Sequence, residues 1–527
     1  MSASAIALNG LIAVPVLFAA LAVLSGRRTS DRLAIAVAVT GALATFGWSV
    51  WVAVLSRDGL SGGDVDTAWI ASLDIRWHLG VDGISAPLVL MSTIVFVCAL
   101  VSLLRHAPAD ADGGPSRRVS LAALLLVIEA GVLGSFLALD MVLFFVFFEV
   151  ALIPMWFVIN SWGDASDVAA RRRAATRFLL FTVLGSALML VGFLLVRSVT
   201  GTFDIVEIAS AAYDSNSVTP VLASVLIGLG LAVKTPLWPL HIWLPDAHSK
   251  APTVGSVVLA AVLLKLGTYG FIRFWLPVTD PAWELVVPVV AALAVVGIIY
   301  GALACLAQTD LKRLIAYSSV GHMGFVILGV ATFTLGGVQA AVFASVAHGL
   351  ITGLLFFVAG AIKDRYGTTD LAKLRVLYGR LPRLAGVFAF AAIASLGLPG
   401  LAGFWGEMLS IRAAVDQSAA LPESTFVVLA VIAAFGVILT TAYFLAVMRG
   451  MLQGSGGHAN VEAYPSVEPH PGGGPHLTET PVEAADVHTL EWIAWAPLIA
   501  LTLVFGVAPG LLLAPVSDAV SSFLGGM

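Results

Sequence analysis

The sequence predicts an all-α polytopic membrane protein of about fourteen transmembrane helices, with two inverted five-helix repeats (spans 4–8 and 9–13), each with a broken fourth helix. Three observations carry this. The 527 residues are 59% apolar and only 11% charged, against about 45–50% and about 25% in a soluble domain. The apolar residues lie in long runs separated by short basic stretches. Two of those runs are interrupted by proline and glycine at matching places in the order. The composition excludes a large soluble enzyme and a disordered chain. With Lys+Arg 27 against Asp+Glu 32, it also gives no basic surplus for nucleic acid.

Taken in order, the expected spans are 4–25, 33–55, 84–104, 119–138, 140–160, 177–197, 219–246, 253–276, 283–306, 312–333, 337–362, 383–413, 424–450 and 491–514. The runs are too long and too continuous for the alternating strands of a membrane β-barrel. In the first span the charges follow the apolar run, which is the wrong order for a cleaved signal peptide and reads as a retained helix. Spans seven and twelve differ from the rest. Span seven holds VKTPLWPLHIWLPDAHSKAPT, and span twelve holds ASLGLPGLAGFWGEML. Proline removes a backbone donor and clashes with the preceding turn, so both should be interrupted. Bare backbone at membrane depth is tolerated only where protein or a water-lined cavity covers it.

These spans divide the chain. Residues 1–118 hold helices 1–3. Residues 119–276 form a first repeat broken near 234–246, and 283–450 a second repeat broken near 397–407. Residues 451–489 form a polar loop, and 490–527 the last helix. Five is odd, so the second repeat enters the membrane upside down, and a transport site is expected near the two breaks. Two unrelated kinks are the alternative. Of the 27 basic residues, 20 fall in one set of loops and five (Arg57, Arg76, Arg197, Arg273, Arg412) in the other. The bias puts both termini on the outer side of a bacterial plasma membrane. Only Lys234 and Lys265 lie inside apolar runs.

An ionisable side chain within a span costs about 2.5–3.5 kcal/mol on insertion scales and needs a reason. Glu149 sits in the middle of MVLFFVFFEVALIPMWFVI, Lys234 just before the first break, and Lys265 mid-span in VVLAAVLLKLGTYGFI. Glu407 follows the second break, and His322 and His348 lie in spans ten and eleven. His241 and Asp246 lie in the first broken segment, with His248 just beyond it. Acids and bases held at membrane depth can exchange protons near neutral pH, and histidine does so with little help. The set reads as a proton relay. A Glu–Lys pair can equally hold two helices together, and His348, beside glycines, can be a packing residue. Asp140 reads as an interfacial residue at a span start, and Glu129 is open either way. Arg273 and Arg412 are expected to snorkel to the outer surface.

Other chemistry is missing from the sequence. GLGLAVK at 228–234 lacks phosphate-loop spacing. Cys98 and Cys305 are far apart and build no metal or iron–sulfur site. There is no serine nucleophile elbow and no paired-histidine haem site. The 451–489 loop carries His458, His470, His476 and His488 among Gly and Pro; it reads as a solvated loop, with a metal site as the alternative.

The stretch VKTPLWPLHIWLPDAHSKAPTVGSVVLAAVLLKLGTYGFIRFWLP resembles the antiporter-like subunits of respiratory complex I (NADH-quinone oxidoreductase). That family also takes in Mrp-type cation/proton antiporters and membrane-bound hydrogenases. QTDLKRLIAYSSVGHMGFVILG is similar to its later signature, and the resemblance covers about residues 80–450. LALDMVLFFVFFEVALIPMWFVI, Glu407 where sister subunits carry lysine, and the lack of a lateral helix after the last span all resemble the subunit M branch. The resemblance implies a proton-translocating subunit with no redox centre of its own. NADH, FMN, iron–sulfur clusters and quinone would be held by partner subunits, beside sister antiporter-like subunits and membrane lipids. It implies that Glu149 pairs with Lys234, that Lys265 is the central relay, and that Glu407 is terminal toward the outer side. His322 and His348 would lie between them. An Mrp-type antiporter subunit and a structural spacer of the membrane arm are the alternative readings.

Overall fold

The computed structural model describes residues 3–57, 64–105, 117–209, 218–279, 283–374, 377–453 and 486–525. The chain opens with α1 (Ala3–Gly26) and α2 (Asp31–Arg57), then a hairpin of β1 (Val65–Ile70) and β2 (Ile75–Leu79), then α3 (Ser85–Leu103). A first block follows: α4 (Arg117–Leu137), α5 (Met141–Trp162), α6 (Val168–Thr200), the short α7 (Ile205–Ala209), α8 (Val218–Lys234), α9 (Trp243–Lys250), α10 (Thr253–Val258) and α11 (Leu264–Gly270). The second block holds α12 (Trp283–Leu306), α13 (Leu311–Val330), α14 (Leu335–Tyr366), α15 (Leu377–Arg380), α16 (Pro382–Ser395), α17 (Ala402–Val415) and α18 (Glu423–Met448). The chain closes with α19 (Thr489–Val507) and α20 (Gly510–Gly525). Among the described residues, 12 helices are long and apolar enough to cross a membrane.

Burial sorts these helices into a centre and a rim. The segment Thr253–Trp275 and α14 have their most apolar windows 100% buried, while in α6 that window is 39% buried. A helix that is apolar all round belongs inside a bundle or against lipid. Here the central pair serves the first role and the rim helices the second, with Leu180, Leu184 and Ile438 all exposed. The central segment is not regular. Two π-turns, Leu259–Leu263 and Phe271–Trp275, flank α11. Such turns unsettle the regular hydrogen-bond ladder and recur at functional sites.

The two interrupted helices have different chemistry. Between α8 and α9 the chain is unwound over 235–242, where Pro236 and Pro239 withhold donors. Between α16 and α17 it is unwound over 396–401, and Gly397 and Gly400 adopt φ of +82° and +95°, which favour glycine. The helices around them are capped in matching ways. Asp140 accepts from the backbone N–H of Val142 and Leu143 to start α5, and Asp310 accepts from that of Arg313 to start α13. Asp140 also bridges to Asp204 beyond α6, and Asp310 to Asp370 beyond α14. The second helix of each block is therefore tied to the chain leaving the third.

The structure departs from the sequence expectation in four places. The last expected span, 491–514, is two helices: α19 ends at Val507, Pro509 follows, and α20 starts at Gly510. The 65–79 hairpin was not anticipated, because a single short strand pair gives little periodic signal in an otherwise helical chain. Arg273 does not snorkel outward; it is buried and paired with Asp82, while Arg412 is exposed beside Asp416. Lys312, expected in a loop, is buried in the first turn of α13, where its Nζ donates to the Ala251 carbonyl at 3.1 Å. The loop histidines His458, His470 and His476, and Arg375, lie outside the described residues. His488 precedes α19, its backbone N–H donating to Glu491 Oε2 at 2.8 Å.

Candidate functional site

The central helices bring four of the expected residues into one line. Lys265, in the first turns of α11, reaches back over the π-turn, and its Nζ donates to the Ala260 carbonyl at 2.7 Å. The same Nζ lies 2.6 Å from Nδ1 of His348 on α14. A hydrogen bond here needs one of the two nitrogens unprotonated, so Lys265 and His348 can share a proton. The His348 ring lies 5.5 Å, centroid to centroid, from that of His322 on α13. His322 is held on both sides: Nδ1 donates to Glu407 Oε1 at 2.9 Å, and Nε2 lies 3.0 Å from Ser395 Oγ.

Between the two histidines is a small cavity. Its volume of about 20 Å³ fits one water molecule. His322, His348, Thr352, Ser395 and Glu407 line it. His348 Nε2 and Glu407 Oε2 make no other polar contact. One water there has acceptors and donors on several sides, so the gap between the histidines is of hydrogen-bonding size. Ser395 is the last residue of α16 and Glu407 sits early in α17, so the second break places both against His322.

The remaining candidates are arranged differently. Lys234 ends α8, and its Nζ lies 4.5 Å above the Phe148 ring with no hydrogen-bond partner. Glu149 is the next residue along α5 and lies within electrostatic reach of Lys234, but the two are not in ion-pair contact. His248 is fully buried, stacked on Phe356 at 4.4 Å with both ring nitrogens unpartnered. It lies within electrostatic reach of both Lys312 and Lys265. His241 is buried edge-on to Tyr300 at 5.0 Å, and its Nδ1 makes no hydrogen bond. Asp246 takes Arg177 at 2.6 Å and Arg313 at 3.0 Å, which makes it a partner for arginines at the basic surface. Asp140 is a helix cap. Glu129 is buried in α4 with neither oxygen partnered.

Sequence reasoning did not single out Ser395 or Lys312. A serine at the end of an apolar run carries no charge to mark it, and a lysine in QTDLKRL looks like a loop residue. Among the described residues no group of three or more His, Cys, Asp or Glu is placed to hold a metal ion.

Outside the spans, the hairpin carries its own ion pairs. His78 Nδ1 bonds Asp204, and Arg76 bonds Asp66. Burial lowers the basicity of His78, but the hydrogen bond and charge of Asp204 outweigh it and hold its pKa above 6.5. Burial likewise opposes ionisation of Asp204, but the His78 hydrogen bond and charge hold its pKa below the usual carboxylate range.

A family model described as "NADH:quinone oxidoreductase/Mrp antiporter, TM" matches residues 138–435. The NADH-quinone oxidoreductase subunit M of Rhodobacter capsulatus is 38% identical over 499 residues, covering 92% of this chain and 88% of that protein. A chain of respiratory complex I from Thermus thermophilus with bound NADH superposes with a TM-score of 0.81 at 27% identity, covering 98% of each chain. A chain of the Mrp complex from Dietzia sp. DQ12-45-1b gives 0.82 at 23% identity over 99% of this chain and 98% of that one, which shows a shared fold. The fully buried central helices, the two broken helices and these matches agree: the chain belongs to the NADH:quinone oxidoreductase/Mrp antiporter family of membrane subunits, in its subunit M branch.

Proposed function

We propose that the chain is a proton-translocating subunit in the membrane arm of an NADH:quinone oxidoreductase, and that Lys265, His348, His322 and Glu407 carry the proton across its centre. The observation that carries this reading is the near-continuous line from Lys265 Nζ to Glu407, broken only by a cavity the size of one water. A proton on Lys265 passes to His348 Nδ1. From Nε2 it crosses by water to Oε2 of Glu407, the free oxygen of the carboxylate that His322 holds by the other. Lys312 and His248 extend the line toward the basic surface. Glu149 and Lys234 form a switch that acts on this line. A change in their separation alters the field at the central lysine, and the unclosed gap between them leaves room for it.

The two five-helix blocks act as inverted repeats, with the basic surface facing the cytoplasm of a bacterial inner membrane and both termini outside. The matching Asp140–Asp204 and Asp310–Asp370 ties support this. NADH, FMN, iron–sulfur clusters and quinone belong to partner subunits, and this chain holds no redox centre. The assembled complex in inside-out membrane vesicles tests the reading. Lys265→Ala and Glu407→Gln should each abolish NADH-driven proton uptake while the subunits still assemble, and Glu149→Ala or Lys234→Ala should do the same. Normal uptake in all four variants would leave only a structural spacer. Sodium-dependent proton exchange without NADH would instead favour an Mrp-type antiporter.

A further inference from the structure

Lys234 has a partner other than a carboxylate. Its Nζ stands 4.5 Å from the centre of the Phe148 ring, and no protein group among the described residues hydrogen-bonds it. Both residues are 1% exposed. The ring is fixed from behind. Phe144, one turn earlier on α5, lies 5.7 Å from it, centroid to centroid, and 4.3 Å from Phe274 in the second π-turn of the central helix. Consecutive residues on a helix project about 100° apart. Phe148 and Glu149 therefore offer the ammonium two separate seats on neighbouring faces of α5. The seat in use is the ring, and Glu149 Oε1 makes no hydrogen bond.

We propose that Phe148 is a positioning residue of the switch, its ring face holding the Lys234 ammonium whenever the lysine is away from Glu149. The face of an aromatic ring carries negative charge density and attracts a cation, more strongly where both are out of water. It gives a neutral amine no such attraction. Lys234 seated on the ring is therefore protonated, and its separation from Glu149 moves a charge without releasing a proton. An ammonium stranded among apolar side chains would otherwise return to its carboxylate or lose its proton. Phe148 makes the separated state last and sets how far the charge moves. A ring that only fills space beside the lysine would need its shape but not its charge distribution.

This inference rests on the proposed role of the Glu149–Lys234 pair, and the test separates the two. NADH-driven proton uptake is measured in inside-out vesicles carrying the assembled complex, with one, two or three fluorines placed on the phenylalanine ring at position 148. Fluorine withdraws charge from the ring face and barely changes its size. Uptake should fall stepwise, by about tenfold with three fluorines, because Lys234 then stays with Glu149. The same three fluorines at position 144 should leave uptake unchanged, since Phe144 packs on Phe148 and Phe274 and not on the lysine. Phe148→Leu, which keeps apolar bulk and lacks the face, should lose at least as much. Unchanged uptake with three fluorines at position 148, or in Phe148→Leu, overturns the seat, and so does an equal loss with the fluorines at position 144. Normal uptake by Lys234→Ala would instead remove the switch reading itself. An inactive Lys234→Ala beside a flat fluorine series removes only the role of Phe148.

Discussion

At the residue scale, the difference between neighbouring polar groups is one of partners. Glu407 and His322 are in direct contact, whereas Ser395 only holds the far side of the ring. Ser395→Ala removes one hydrogen bond of about 1 kcal/mol. It should slow NADH-driven proton uptake by about fivefold, while Glu407→Gln abolishes it; initial rates in vesicles distinguish the two. Glycine matters where the central helix meets the first break. A Cβ on Gly267 would lie 2.3 Å from Thr235 Oγ1 and 2.8 Å from its backbone nitrogen. Gly267→Ala should therefore cost about 1–3 kcal/mol by overpacking and lower the thermal midpoint of the complex. Both lysines, Glu149 and Glu407 were legible in the sequence because charge is so rare in it. Ser395 was not, because hydroxyls are common in membrane helices.

At the scale of elements, the 65–79 hairpin is the part whose stability should follow pH. His78 is held above 6.5, so its contribution is complete below that value and is lost as pH rises through the raised one. Asp204 is held below its usual range, so its contribution is present above about 3.8 and is lost only as pH falls through the lowered value. The pair is strongest between these limits. Hydrogen exchange of residues 65–79, corrected for intrinsic rate, should speed up on raising the pH from about 6 to about 9. His78→Asn should remove that dependence. The broken helices were readable from their prolines and glycines. The hairpin was not, since its pairing depends on Asp204, Asp140 and Glu207, far away in sequence.

At the scale of the whole molecule, three distant segments meet at Glu491. Its carboxylate, 8% exposed, accepts from Arg105 and from Arg365 at 2.7 Å, so α19 is fastened to α14 and to the end of α3. Glu491→Ala removes the carboxylate that Arg105 and Arg365 share. By analogy with broken buried pairs it should cost about 3–5 kcal/mol and lower the yield of assembled complex, measured by thermal unfolding and by subunit recovery in mild detergent. Restoring the thermal midpoint with Glu491→Asp would tie the loss to the charge.

Composition decided the membrane location, because 59% apolar and 11% charged residues leave no other solvent for so much of the chain, and the length and continuity of the apolar runs decided for membrane-spanning helices over a barrel. Proline and glycine placement located both helix breaks, since backbone geometry is a local property. Scarcity of charge marked Lys234, Lys265, Glu149 and Glu407. Tertiary structure alone decided which of them touch. It set Lys265 against His348, put Ser395 behind His322, buried Lys312 and turned Arg273 inward to Asp82. Such contacts join residues many helices apart. They depend on how the helices pack against each other, which no local pattern encodes.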